Sequence, residues 1–360
     1  MNIAPMVASA AVTRQPVARL TRTRDALTLR AVLVCAVVAA GLLLPKLMGG
    51  SFYMGLLTQA AILAVAAVGV GFLMHQCGLV MFGVAGLSGG ATYLVALSSV
   101  QWGWGASASA LFGLLGATAA AALVGALIVR AKPLPFAMLT LALAQMLRQL
   151  VSITGLRHVT GGDDGISIAL HGSVLGMTQA ELSQPALFWP VAWLTLCGSM
   201  LLVWAAGRSR LGMVLRAIRA NDERMRFSGF DTYLPRLAAF VLAGFIIASA
   251  GLLTALHTAF ASPELLDFGT GGNTLVATII GGAGTVFGPV LGSLLFAFGQ
   301  DRFGASGHLE LFTGIAVVCV IAAFPSGLAG FLQGLKARAL NLRAGPKGHP
   351  STQTEVSHDA

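Results

Sequence analysis

The chain has 360 residues, of which 56% are hydrophobic and only 10% charged, with a mean hydropathy of +0.82. That balance excludes an ordinary soluble domain, in which about a quarter of residues are charged, and a disordered chain, which needs low hydrophobicity. The net charge of +9 would suit a nucleic-acid binder, but the basic residues sit between long apolar runs. The charge therefore bears on membrane orientation, and no nucleic-acid partner is expected.

Residues 1–30 form a basic segment carrying Arg14, Arg19, Arg22, Arg24 and Arg30. A hydrocarbon core of about 30 Å needs about 20 helical residues. On that ruler the sequence predicts spans over 31–48, 52–74, 79–100, 107–129, 134–154, 185–206, 236–258 and 309–330. The run after Arg30 is long enough to cross and no small-residue cleavage site follows it, which reads as a first helix or signal anchor. No alternating ten-residue segments of the β-barrel kind occur. The 45 glycines suit helices packed backbone to backbone. Cys35, Cys77, Cys197 and Cys319 lie in or beside apolar runs without close spacing, so neither a disulfide framework nor a metal site is expected. The tail over 335–360, with Gly345, Pro346, Gly348 and Pro350, reads as disordered.

Eighteen of the 22 Lys and Arg residues fall in four segments: the N-terminal one, Arg130 and Lys132, the seven arginines from Arg208 to Arg236, and the tail. The positive-inside rule puts these segments, and with them both termini, in the cytoplasm. Asp163, Asp164, Glu181, Glu264 and Asp267 mark 155–184 and 259–272 as external. Parity then constrains a ninth apolar stretch, 273–300, which must re-enter and return or cross twice if 309–330 crosses once. Gly281, Gly282, Gly284 and Gly288 with Pro289 supply a break, so a glycine-broken helical hairpin is expected there. The expected fold is an all-α polytopic membrane protein with about eight transmembrane helices plus this hairpin, eight to ten crossings, filling 31–334. Irregular backbone at membrane depth occurs only where protein buries it or water lines it. The break is a candidate wall of a translocation path, with a glycine-rich packing face as the other reading.

Nucleotide-binding and metalloprotease motifs are absent, and no catalytic residues are assigned. The spans hold no carboxylate except Glu310 at one edge, which disfavours a proton-coupled carrier. Sodium coupling through carbonyls at the hairpin stays open. His75, His257, Lys46 and Arg148, near span ends, read as snorkelling or satisfied polar contacts.

The loop 207–235 contains the proline-free stretch Arg208 to Gly229, in which Leu211, Leu215, Ile218 and Met225 share one helical face. It predicts a short amphipathic helix with an Arg219–Glu223 pair at i,i+4 and Gly229 as its left-handed terminator. Such a helix either rests on lipid headgroups or docks a soluble partner.

Five blocks carry a family likeness: GLVMFGVAGLSGGATY from Gly78, PFAMLTLALAQ from Pro135, TGGDDG from Thr160, the Arg208–Gly229 loop, and IGGAGTVFGPVLG from Ile280, with FPSGLAG from Phe324 closing the series. In this order the chain resembles the LivM-type permease subunits of branched-chain amino acid ABC transporters. It departs from their pattern at Met81, Phe82 and Gly83, and at Arg224 to Ser228. The resemblance implies half of the translocation path of an ATP-driven importer in a bacterial inner membrane. It implies as partners a second, LivH-like permease subunit, two ATPase subunits that bind the ATP, and a solute-binding protein. This chain itself would bind no cofactor and would not be an enzyme. The resemblance further implies ATPase coupling through Arg216, Arg219, Asp222, Glu223 and Gly229, and a binding-protein dock at Thr160, Gly161, Gly162, Asp163 and Gly165. Branched-chain amino acids lead as substrates, with amides or urea behind. An ion-coupled secondary transporter of a small polar solute and a membrane receptor are the readings from other classes.

Overall fold

The computed structural model describes residues 51–304 apart from 175, together with 38–43, 45, 311, 314, 315, 327 and 330. Apart from those isolated positions, the predicted spans 31–48 and 309–330 lie outside the described residues, as do the basic segment 1–30 and the tail 335–360. In chain order the helices are α1 (Ser51–Cys77), α2 (Val84–Val100), α3 (Ala106–Ile128), α4 (Pro133–Ser152), the single turns α5 (Arg157–Thr160) and α6 (Gln179–Leu182), α7 (Pro185–Arg208), α8 (Arg210–Ala220), α9 (Asp222–Phe227), α10 (Tyr233–Thr258), α11 (Phe268–Gly281) and α12 (Gly288–Gly304). Prolines open α4 and α7, where a missing N–H costs nothing.

Five of these helices, α1, α3, α4, α7 and α10, are long and apolar enough to cross a membrane, and α2 is a shorter apolar one. The chain is a polytopic membrane protein. The predicted span 79–100 becomes helical only at Val84. Gly78, at φ +69°, ends α1, and Gly83 lies so close to the Thr140 carbonyl that a Cβ would overlap it. The stretch 273–300 is broken as expected, but its helices begin at Phe268 and end at Gly304. The all-α expectation needs one amendment: β1 (Ile166–Ser167) and β2 (Phe260–Ala261) pair as an antiparallel ribbon, Ile166 opposite Ala261.

Helix α1 is apolar on every side, the pattern of a helix buried all round. Of its most apolar stretch 78% is buried and of that of α10 56%, against 28% for α3 and for α4, so α1 and α10 form the centre and α3 and α4 the periphery. In lipid, helices are held by close packing and interhelical hydrogen bonds rather than by a hydrophobic drive. The contact of α2 with α10 shows both. A Cβ on Gly251 would overlap the Ser88 carbonyl, and Thr92 Oγ1 donates to Gly251 O at 2.9 Å, a bond worth about 0.6 kcal/mol in such bundles.

The polar ends of the helices sort by charge. At one end Tyr233 Oη donates to Ala126 O at 3.0 Å, and the Arg130 guanidinium lies 4.8 Å from the Tyr233 ring centre. At the other, Arg148 pairs with Asp267 at 3.2 Å, Gln101 reaches the His158 carbonyl, and His257 Nδ1 lies 3.2 Å from Leu182 O. Arg148 and His257 thus make the satisfied polar contacts expected of them. The two are called here the basic and the acidic end.

Candidate functional site

The loop 207–235 is built as two helices, not the single one expected. Asn221, extended at φ −161°, separates α8 from α9, and its side-chain oxygen caps α9 by accepting from Arg224 N at 2.9 Å. The expected apolar face divides accordingly. Leu215 and Ile218 of α8 are buried, whereas Leu211 and Met225 are half-buried. The expected Arg219–Glu223 pair is not formed. Asp222 instead holds Arg226 at 3.0 Å, one helical turn on, and reaches Arg236 of α10 at 3.3 Å, while Glu223 is exposed. The cap at Asn221 explains the shift, because it moves the i,i+4 register onto α9.

Gly229 terminates α9 as expected, at φ +82°. Its N–H donates to Arg226 O at 2.9 Å and that of Phe230 to Met225 O at 3.1 Å, the paired bonds of a Schellman ending, which requires a left-handed residue. Arg216 and Arg219, both on α8, face the bundle's helix ends. The Arg219 guanidinium donates to the carbonyl of His75 in the last turn of α1, and its stem packs on Gly78. Arg216 Nη1 donates to Gly207 O of α7 at 3.0 Å. A cation at a helix C-terminus satisfies an orphan carbonyl and complements the helix dipole. Helix α8 is thereby tied to the ends of two spans.

The hairpin of α11 and α12 turns over 282–287. A Cβ on Gly281 would overlap the Gly288 carbonyl, and one on Gly292 the Ala277 carbonyl, so contacts recede in step on either side of the turn and the two helices pack antiparallel at backbone distance. Gly282, at φ +95°, starts the turn. Gly284 is open to space and Pro289 opens α12. The hairpin rests on α1, where a Cβ on Gly71 would lie 2.8 Å from Pro289 Cγ and Thr278 Oγ1 is 3.3 Å from Ala67 O.

These two sets of residues, distant in sequence, share one cavity of about 180 Å³. His75, Gln76, Gly207 and Arg216 line one side, and Gly284, Thr285 and Pro289 the other. The break thus lies beside the segment 207–235 at the basic end. Among the described residues Gln76 Oε1, buried there, has no hydrogen-bond partner. Gln76 and Gly207 are not among the expected site residues, whereas Gly292 closes the expected glycine block, in which Ala277 with Gly281, and Gly288 with Gly292, are small-x-x-x-small pairs.

The TGGDDG segment sits at the acidic end. Thr160 Oγ1 donates to Val151 O at 2.7 Å, anchoring the loop to α4. Gly161, Gly162 and Gly165 all have φ between +58° and +73°, and a Cβ on Gly165 would lie 2.5 Å from Ala261 O in β2. Asp163 is exposed, and Asp164 pairs with Arg157 at 2.5 Å.

A family model described as "branched-chain amino acid transport system / permease component" matches residues 52–324. The chain belongs to this permease family. Among curated proteins, the permease is 23% identical over 264 residues to the high-affinity branched-chain amino acid transport system permease protein LivM of Escherichia coli (strain K12), covering 68% of this chain and 62% of that one. It is 25% identical over 265 residues to LivM of Salmonella typhimurium (strain LT2), with the same coverages. With the autoinducer 2 import system permease protein LsrC of Yersinia pestis it shares 29% over 203 residues, 54% of this chain and 53% of that one. The permease spans less than two thirds of the length of these relatives. No solved structure matches it. The relatives are transport components rather than enzymes, as the sequence led one to expect.

Proposed function

We propose that this permease forms half of the translocation path of an ATP-driven ABC importer in a bacterial inner membrane, with its basic end in the cytoplasm and eight or more crossings. It works with a second, LivH-like permease subunit, two ATPase subunits that bind the ATP, and a solute-binding protein that delivers branched-chain or related amino acids. The observation that carries this reading is the cavity shared by Arg216 of α8 and the hairpin turn. Arg216 and Arg219 hold the ends of α7 and α1, and α1 in turn bears the hairpin. A displacement of α8 and α9 by an ATPase is therefore delivered to both walls of that cavity. Asp222, ion-paired with Arg236, carries the same displacement to α10. Glu223, exposed on α9, and the Gly229 ending present this segment to the ATPase. The glycine-lined turn lets α11 and α12 shift against each other with only backbone between them. At the acidic end, the anchored loop from Thr160 to Gly165 with exposed Asp163 is the dock for the binding protein.

Co-purification of the tagged full chain from mild detergent, with mass spectrometry of its companions, tests this assignment. Two further subunits, an ATPase and a second permease, are expected with the wild type, and loss of the ATPase alone with the Glu223→Arg, Gly229→Pro double variant. Purification of the chain without an ATPase would remove the assignment. Likeness to an autoinducer 2 permease as well as to LivM makes competition for uptake among leucine, valine, amides, urea and autoinducer 2 the test of substrate class.

A further inference from the structure

A second cavity, of about 450 Å³, opens at the basic end, away from the one at the hairpin turn. Three guanidinium groups line it, those of Arg130 after α3, Arg226 of α9 and Arg236 in the first turn of α10, with the carboxylate of Asp231 among them. Arg130 is exposed and stacks on the Tyr233 ring. Arg226 donates from Nε to Thr232 Oγ1 at 3.2 Å. Arg236 is 7% exposed and its Nη2 reaches Asp222; among the described residues its Nε–H is buried without an acceptor, and the facing Oδ1 of Asp222 is buried without a hydrogen-bond donor. Asp231 is in part engaged by the N–H of Tyr233 at 2.8 Å. Even with both carboxylates counted, the site carries one uncompensated positive charge. A buried N–H donor without a partner is costly, which is the signature of a site awaiting an anion.

The surroundings say which anion. The cavity sits where α3 ends and α10 begins, two helices able to cross a membrane. Leu123 and Leu127, one turn apart on α3, are 67% and 72% exposed, and Leu234 beside the site is 61% exposed. These side chains form an apolar track running from the cavity up the outer face of a helix only 28% buried. A soluble phosphate or an acidic peptide would leave that track unused, whereas a phospholipid fills both parts. Basic pockets between spans at a membrane surface take anionic headgroups on the same physical grounds.

We propose that this cavity binds the phosphate headgroup of an anionic phospholipid from the leaflet at the basic end, with its acyl chains along Leu127 and Leu123. The lipid then bridges Arg130, Arg226 and Arg236 and staples the α3 end to α9 and α10. The site goes beyond the transport role and does not depend on it.

The test is native mass spectrometry of the purified full chain, titrated with phosphatidylglycerol or phosphatidylcholine in detergent. A tightly retained phosphatidylglycerol, preferred over phosphatidylcholine and not displaced by excess inorganic phosphate, is expected. Arg130→Gln, which removes an exposed side chain and leaves the fold intact, should weaken retention about fivefold. Adding Arg226→Gln should weaken it further. Arg210→Gln, at the same end but outside the cavity, should leave retention unchanged. Equal retention of both lipids, displacement by inorganic phosphate, or an equal loss with Arg210→Gln would overturn the proposal. So would retention unaltered by the Arg130→Gln change, including the case in which that change releases an ATPase subunit instead.

Discussion

The guanidinium of Arg219 donates to the main-chain carbonyl of His75, so a residue of the polar loop closes the end of the most buried of the five described spans. Helix α1 has no hydrogen-bonding partner of its own for that carbonyl, as is general for a last turn, and the bond comes from 144 residues along the chain.

Replacing Arg219 with Gln should therefore separate assembly from transport. The side chain is exposed, so its loss should cost no more than about 1 kcal/mol of stability. Uptake by the assembled transporter should nevertheless fall well beyond what that cost explains, while the ATPase remains bound. Parallel thermal unfolding and uptake assays of the variant check both parts.

Asp222 and Glu223 are neighbours with opposite expected sensitivities. Asp222→Asn strips the partner from Arg226 and from the buried Arg236 and should destabilise by about 2 kcal/mol. Glu223→Gln changes an exposed group and should stay within about 0.5 kcal/mol. Denaturation midpoints in the same detergent decide the order.

A Cβ at Gly229 meets nothing within 4 Å, so substitution there tests backbone strain alone. Gly229→Ala should cost about 1 kcal/mol through its left-handed conformation, and Gly229→Asn should recover part of it, since Asn tolerates that region. Gly292 is the contrasting case. Gly292→Val drives a side chain into the Ala277 carbonyl and should cost about 1 to 3 kcal/mol as overpacking. Gly299→Ala, in open space on the same helix, should be neutral or mildly stabilising. Unfolding temperatures of the four purified variants are the measure.

At the acidic end the carboxylate of Glu181 accepts from the N–H and the hydroxyl of Thr178 at 2.7 and 3.0 Å, and these bonds hold its pKa below the ordinary carboxylate value. A pKa depressed in the folded state stabilises above the unfolded value, and that contribution is lost as pH falls through the folded one. Protection of the α6 amides, taken relative to the intrinsic exchange rate at each pH, should accordingly fall on acidification below the usual carboxylate range, and Glu181→Gln should flatten the dependence.

Among the described residues, the five helices long enough to cross were legible because twenty apolar residues in a row admit few alternatives to a membrane helix, and the charge segregation of the loops reappears as the basic and acidic ends. The break at Gly282 could be read from the glycine cluster and Pro289. What could not be read was which segments meet. The Arg219–His75 bond joins residues whose sequence context shows no link, and the exchange of Arg219–Glu223 for Asp222–Arg226 turned on the cap at Asn221. A helical wheel drawn through Asn221 assumes continuity and so shifts every pair after it. The ribbon of Ile166 with Ala261 is only two residues a side, too short for any alternation to show.

The most direct test is uptake of radiolabelled leucine into proteoliposomes holding the full assembly, with ATP on the side of the ATPase subunits or with an ion gradient and no ATP, for the wild type and Arg219→Gln. ATP-dependent uptake by the wild type, absent under the gradient alone and largely lost in the variant while ATP hydrolysis persists, is the expected result. Gradient-driven uptake by this chain without an ATPase would contradict the account and turn the hairpin at Gly282 into a coupling-ion site.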